Sequence, residues 1–386
     1  MENYDVIIVG GGASGLMCAA SISEKKTVAI IDASFSLGKK LLVTGNGRCN
    51  LTNTKMSSDF YNVNIDKYLK HFNEKDAIAF FNTHGLDTVE DREGRVYPFT
   101  NYARSVVDIL TKATLNKRNI RSFINEKVEK ISHVDNKYIV SGTKLTLSCK
   151  ELVVAVGNIE NKFLEDFDIK KVERQPSLVA LKTKESTKNL DGIRIGNVDI
   201  TATCNGNKMT QNGELLFKDS GLSGIAIFNI STLFSRNKKF EGKISIDLLP
   251  GRDVSQTEIM VKDRCAIFEK VSDLFDGLFI SPVKEEIFRR CKIDEQLDTK
   301  KLNVSNIKLL SRTIHDLSFN VVGHYDNFQV VSGGIDLGEL TDNLESKKYK
   351  NLYFIGEACN VDGECGGYNL QWAWTSGAIV GKKLSK

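Results

Sequence analysis

Tyr4-Asp-Val-Ile-Ile-Val-Gly10-Gly-Gly12-Ala13-Ser14-Gly15-Leu-Met-Cys-Ala-Ala-Ser-Ile22 opens the chain, and Thr27-Val-Ala-Ile-Ile-Asp32-Ala33 follows after a short charged turn. The short apolar run from Tyr4 to Val9, interrupted only by Asp5, suits a central parallel strand. Leu16 to Ile22 has helical apolar spacing, and Thr27 to Ile31 is a second β-rich run ending in an acid. A complete βαβ unit therefore fits before Ala33. Gly10, Gly12 and Gly15 form GxGxxG between strand and helix, and each has a physical task. The first permits the turn, the second lets the backbone approach a pyrophosphate, and the third lets helix and strand pack closely. The helix N-terminus, with Ala13 and Ser14 in its first turn, offers unpaired N–H groups and partial positive charge to phosphates. Asp32 is placed to accept hydrogen bonds from the adenosine ribose, and its charge repels a 2′-phosphate. NADP is thereby disfavoured at this place, leaving FAD or NAD.

Working outward, the 386 residues are 41% hydrophobic and 26% charged, ordinary globular usage with length for two or three domains. The net charge of +4, from 53 basic against 49 acidic residues without a long basic run, reads as a solvated mixed surface. The first residues lack the basic region and cleavage site of a signal peptide. No segment has the roughly 18 uninterrupted apolar residues of a membrane helix. A soluble, cytoplasmic protein is expected. The eight cysteines contain no CxxC pair, so neither a metal site nor a dithiol centre is expected. Cys359 and Cys365 are near enough in sequence to meet in a loop, although a reducing compartment disfavours a bridge.

Helical spacing recurs over Lys67–Thr83 and Tyr102–Leu115. Short alternating segments over Arg121–Cys149 suggest a β-meander, and Glu151–Val156 is a further apolar run ending in Gly157. The texture then changes twice, to β-like runs with Gly/Asn turns and then to charged helical patterning, before β-like runs return at Phe328–Val331 and Leu352–Ile355. The expected fold is α/β: a Rossmann-type FAD-binding domain of residues 1–186 and 328–386, an inserted β-rich domain of 187–252 and 309–327, and a small helical domain of 253–308.

Two further stretches bear on the cofactor. Gly38-Lys39-Lys40-Leu-Leu-Val-Thr-Gly45-Asn-Gly47-Arg48-Cys49-Asn50-Leu-Thr-Asn53 is a long polar loop where a plain dehydrogenase needs only a short connection, and it looks built to lie against a large cofactor. Near the other end, Asn351-Leu-Tyr-Phe-Ile-Gly356-Glu357 reads as a strand ending in a glycine-acid turn. Asp362-Gly363, Gly366-Gly367-Tyr368-Asn369-Leu370-Gln371 and the apolar helical run Trp372–Val380 follow. That helix would direct N–H groups at an electron-rich partner, which in a flavin is the N1–C2=O edge.

With these motifs together, the chain resembles the bacterial three-domain FAD-binding oxidoreductases described as aminoacetone-oxidase-like or NAD(P)/FAD-dependent, within the glutathione-reductase-like FAD superfamily. The motifs are GGGASG at Gly10, GKKLLVTGNGRCNLTN at Gly38, RVYPF at Arg95, VVAVGN at Val153 (with Ala155 and Gly157), and GEACNVDGECGGYNLQWAWTSG at Gly356. The resemblance implies that Asp32 holds the ribose and that Val128 offers backbone groups to adenine. It places Arg48, Cys49 and Asn50 near the flavin and Gly367 to Leu370 near its pyrimidine edge. One departure falls in the insertion: relatives read FTHxGLSGP where this chain has Phe217-Lys218-Asp219-Ser220-Gly221-Leu222-Ser223-Gly224-Ile225.

The function expected is an FAD-dependent oxidoreductase acting on a small organic molecule held between flavin and insertion, by amine oxidation or NAD(P)H-linked enone reduction. Only one GxGxxG is visible, so NAD(P)H, as a transient reductant, would have to enter the substrate cleft. The alternatives are an RNA-modifying flavoprotein, with Arg289, Arg290, Lys292, Lys300 and Lys301 touching phosphates, and a flavin-binding protein without turnover. The aromatic interleaving of a nucleic-acid surface is absent from that basic cluster and acids lie nearby, which argues against RNA. No catalytic side chain is assigned.

Overall fold

A computed structural model describes residues 1–157 and 162–386; Asn158, which ends the Val153 motif, lies outside them. The described chain divides into two compact units, Met1–Gln175 with Gln329–Lys386, and Pro176–Phe328.

In the first unit β1 (Glu2–Val9) leads through α1 (Ala13–Ser21) to β2 (Val28–Ile31), which pairs with β1 in parallel. Val6, Ile7 and Ile8 are fully buried, as the uninterrupted apolar stretch Val6–Val9 requires, while Asp5 just before it is exposed. Beyond the Gly38 loop come β3 (Thr52–Asn53), α2 (Asp66–Leu69), α3 (Glu74–Thr83), β4 (Thr88–Glu90) and β5 (Arg95–Pro98), with β5 pairing both β3 and β4. The single helical stretch expected over Lys67–Thr83 is two helices. Asn73 starts the second with a capping box: its side chain accepts from the Lys75 and Asp76 N–H groups, and Asp76 accepts the Asn73 N–H in return. α4 (Ala103–Leu115) buries Val106, Val107 and Leu110.

β6 (Ile120–Phe123) joins β2 in parallel, while β7 (Val128–Val134), β8 (Lys137–Gly142) and β9 (Thr146–Val154) form the expected meander. β9 lies parallel to β1 along its length. Its other edge is shared: residues Thr146–Cys149 carry β8, leaving Leu152–Val154 for a strand from the end of the chain.

β10 (Lys171–Thr183) runs continuously from the first unit into the second, so the second unit begins at Pro176 rather than at Thr187. There follow β11 (Arg194–Cys204), β12 (Asn207–Lys218), β13 (Gly221–Ser223), α5 (Ile225–Arg236), β14 (Gly242–Asp247), α6 (Val254–Ile267), α7 (Ser281–Cys291), α8 (Val304–His315) and β15 (Leu317–Ile335). The strands close a barrel in the order β10-β13-β12-β11-β14-β15. Val261, Phe288 and Leu310 of the helices share one core with Ile200, Phe217 and Ile244 of the barrel, so the helical segment belongs to the same compact unit.

β15 returns the chain to the first unit, where β16 (Leu352–Phe354) takes the vacant half of β9 in parallel and α9 (Tyr368–Leu384) follows. α9 lies against α1 at backbone distance: a Cβ on Gly377 would stand 2.5 Å from the Ser14 carbonyl oxygen. The two ends of the sequence thus share one sheet and one core. Among the described residues no helix is long and apolar enough to cross a membrane.

Candidate functional site

At the start of α1 the three glycines face different surroundings. Gly10 closes β1 with φ +109°, its N–H bonded to the Ile31 carbonyl at 2.8 Å. Ala155, whose N–H donates to Val9 at 2.8 Å, presents its carbonyl to the Gly10 backbone. A side chain on Gly15 would overlap the Gly10 carbonyl oxygen, so helix and strand touch through backbone alone. Gly12, the N-cap of α1, opens onto space, since a Cβ there meets no atom within 4 Å. No side chain caps the terminus at Gly12-Ala13-Ser14, and the helix is first bonded from Leu16 N–H to Gly12 at 3.0 Å.

Asp32 stands just past β2. Its Oδ2 accepts the Gly11 N–H at 2.6 Å and its Oδ1 the Ser34 N–H at 2.7 Å. Each carboxylate oxygen keeps a further lone pair for a ligand. Glu126 N–H bonds Asp32 O at 2.9 Å, which brings the start of β7 alongside, with Val128 paired opposite Gly142. Ala33 is exposed. Lys39 places its ammonium 4.8 Å over the Phe35 ring, whereas Lys40 forms an ion pair with Glu357 at 2.8 Å. The Glu357 side chain lies against Gly157, where any side chain would overlap it. Lys40, Gly157 and Glu357 thus converge from three distant parts of the chain.

The Gly38 loop is a 3-10 coil over Lys39–Gly47, broken at Thr44–Asn46, with Gly45 backed onto the Asn50 N–H group and Gly47 facing open space. Arg48 is exposed and stacks its guanidinium 4.5 Å over Tyr97. Cys49 is fully buried at φ +61°; burial pushes its thiol up to about 12 against a hydrogen bond with Thr44, so it is not a thiolate at neutral pH. Asn50 is only 8% exposed, and its Oδ1 has no hydrogen-bond partner.

From the C-terminal segment, Gly356 donates its N–H to Ser376 Oγ at 2.9 Å, and its carbonyl accepts Trp372 Nε1–H at 3.0 Å. Asp362 is clamped by Asn62, backbone to backbone and backbone to side chain, both at 3.0 Å. Gly366 O accepts Asn53 Nδ2–H at 3.0 Å, and Tyr61 donates its hydroxyl to Tyr368 O at 2.7 Å. Gly367, at φ +100°, is the N-cap of α9, again without a side-chain cap. A Cβ on it would lie 2.5 Å from Thr52 O and 2.9 Å from Asn50 Oδ1, so this contact admits only glycine. The Asn369 amide is used within the loop, bonding both the N–H and the carbonyl of Gly363, and Leu370 is half-buried. Asn62, Tyr61, and Gln371, which accepts from Thr52 Oγ1 at 2.7 Å, hold this segment but carry no local sequence signal of that task. Cys359 and Cys365 are thiols, and burial pushes Cys365 up to about 12.

In the second unit, Lys218 ends β12 with its ammonium 4.9 Å over Tyr325, and Thr187 donates its hydroxyl to Lys218 O at 2.7 Å. Arg289 and Arg290 both bond Glu286, at 2.6 and 2.7 Å, so the two arginines of the basic cluster considered for phosphates share one carboxylate. Among the described residues no group of three or more His, Cys, Asp and Glu is arranged to hold a metal ion.

Two uncapped helix N-termini, open space at Gly12 and a buried acceptor lacking a donor at Asn50 fit a dinucleotide flavin. Fold and site define an FAD-dependent oxidoreductase on a Rossmann-type domain. The sequence pattern of the family described as "HI0933-like protein Rossmann domain" matches residues 4–383, and the chain belongs to that family. It is 29% identical to the 3-dehydro-bile acid delta(4,6)-reductase of Clostridium scindens, covering 98% of each chain. It is 30% identical to the ribosomal RNA dihydrouridine synthase of Escherichia coli K12, covering 97% of this chain and 96% of that one. The 3-ketosteroid delta1-dehydrogenase of Sterolibacterium denitrificans, at 12% identity, full coverage of both chains and a TM-score of 0.52, shares the fold.

Proposed function

We propose that this flavoprotein reduces a carbon–carbon double bond conjugated to a carbonyl group. One observation carries the reading: two curated relatives, alike to this chain over nearly its whole length, are named for saturating such bonds in unlike molecules, a dehydro-bile acid and a uridine of ribosomal RNA. What such relatives share is the bond rather than the substrate around it. When bound and reduced, the flavin would supply hydride to the carbon β to the carbonyl and be left oxidised, with a proton reaching the α carbon.

The chain's own part is to bind and orient. The α1 N-terminus offers N–H donors to the diphosphate, Asp32 offers its remaining lone pairs to the adenosine ribose, and Val128 its backbone to adenine. The Gly38 loop from Lys39 to Asn50 and the segment from Gly356 to Leu370 flank the flavin. The α9 N-terminus favours the negative charge that the pyrimidine edge gains on reduction. Reducing equivalents would come from NAD(P)H entering the same site. A small carbonyl-conjugated alkene is the leading substrate class. A uracil base in RNA is the second, favoured by the 30% identity to the rRNA enzyme and weakened by the pairing of Arg289 and Arg290 with Glu286.

The test is anaerobic stopped-flow spectroscopy. NADH or NADPH should bleach the flavin, and a 3-oxo-4-ene steroid, a simple enone or a uridine-containing rRNA transcript should restore its oxidised spectrum. Bleaching by amines alone would replace the proposal with amine oxidation, and a flavin that no donor or acceptor turns over would make the chain a binder.

A further inference from the structure

The Asn50 amide is more than nine-tenths buried, yet its Oδ1 accepts nothing. An unmade hydrogen bond at a buried acceptor is destabilising, so native structures rarely keep one without a function or a ligand. Its surroundings say what is missing. Cys49, at φ +61°, turns the chain just before Asn50, and the Oδ1 atom would lie 2.9 Å from a Cβ on Gly367. Gly367 is the uncapped N-cap of the 17-residue α9, whose ladder begins only at the Gln371 N–H, bonded to Gly367 O at 2.9 Å. A lone acceptor therefore stands beside a cluster of backbone donors. An anion would suit the donors and be repelled by the acceptor. A cyclic imide edge, with a carbonyl next to an N–H, suits both.

We propose that Asn50 Oδ1 accepts the hydrogen bond of the flavin N3–H, while the first N–H groups of α9 bond the adjacent C2 carbonyl. This inference rests on the FAD reading of the site. It makes Asn50 a positioning residue that fixes the register of the flavin ring; Gly367, already confined to glycine by the Thr52 carbonyl and its φ of +100°, leaves the space beside the amide open. A uracil base has the same imide edge, so the test separates cofactor from substrate.

The full-length protein, freed of flavin, is titrated with FAD and with N3-methyl-FAD, which cannot donate. Wild type should bind FAD at least about tenfold more tightly than the methyl analogue, the discrimination of one hydrogen bond. In Asn50→Ala, which also leaves room for the methyl group, the two should bind within about twofold. Asn50→Asp should retain FAD with a more negative midpoint potential, because its charge opposes that of the reduced ring. Equal binding of both flavins by wild type, or discrimination that survives in Asn50→Ala, overturns the assignment while leaving FAD in the site. Failure of wild type to bind either flavin overturns the cofactor reading itself. If the FAD-loaded protein binds uridine, and Asn50→Ala weakens uridine but neither flavin, the imide read by Asn50 belongs to the substrate and the proposal fails.

Discussion

Replacing Gly12 by aspartate should strengthen the empty protein and weaken its hold on FAD. Gly12 has φ −80° and ψ −164°, backbone open to any residue, and a Cβ there touches nothing within 4 Å. An aspartate at this N-cap can accept the N–H groups of the first turn and complements the helix dipole, changing apoprotein stability by a few tenths of a kcal/mol in the favourable direction. The same carboxylate would stand where a diphosphate is held and would occupy its donors. Two unit charges about 4 Å apart at an effective dielectric of about 20 repel by about 4 kcal/mol. With solvent screening, a loss of about a hundred- to a thousandfold in FAD affinity follows. Gly12→Ser, which caps without charge, should lose about tenfold. Melting of the flavin-free protein and fluorescence titration with FAD measure the two effects separately. Gly12→Asp binding FAD as wild type does would refute the placement of the diphosphate on α1.

Two other predictions follow from buried groups. Burial raises the Glu286 carboxyl, but hydrogen bonds from Arg289 and Arg290 outweigh it and hold the group below the ordinary carboxylate range. Its stabilising contribution is thus present above the unfolded-state value and lost as pH falls through the folded one. Glu286→Gln should lower stability at pH 7 by about 3 kcal/mol and flatten the decline in melting temperature below about pH 4; an unaltered acid limb would contradict the pairing. Cys18, Cys49 and Cys359 are fully buried with thiols raised by that burial, so iodoacetamide should spare them at pH 8 in the folded protein and label all three in urea. Rapid native labelling of Cys49, mapped by mass spectrometry, would count against the closed Gly38 loop.

What the sequence made legible was local. The run Tyr4–Val9, the glycine turn and the acid after Ile31 lie within one βαβ unit, where period and turn chemistry act over short distances. The spacing of Glu286 to Arg289 and Arg290 likewise puts opposite charges on one helical face. The barrel was not legible, because pairings such as β10 with β13 and β14 with β15 depend on partners far apart in the chain. The joining of α6 to α8 with the barrel core was hidden for the same reason. In the site, the glycine and acid positions could be named from motifs, but not their partners. The Asn62 clamp on Asp362 spans 300 residues, Lys39 turns to Phe35 while its neighbour takes Glu357, and the orphaned Asn50 oxygen emerges only once Gly367 is beside it.

The most direct measurement on the central claim is the identity of the flavin released by heating the purified protein, determined by chromatography and mass. One FAD per chain, released intact without covalent attachment and rebound by the apoprotein, is the predicted result. A colourless protein that cannot be reconstituted with FAD and instead binds NAD tightly would contradict it.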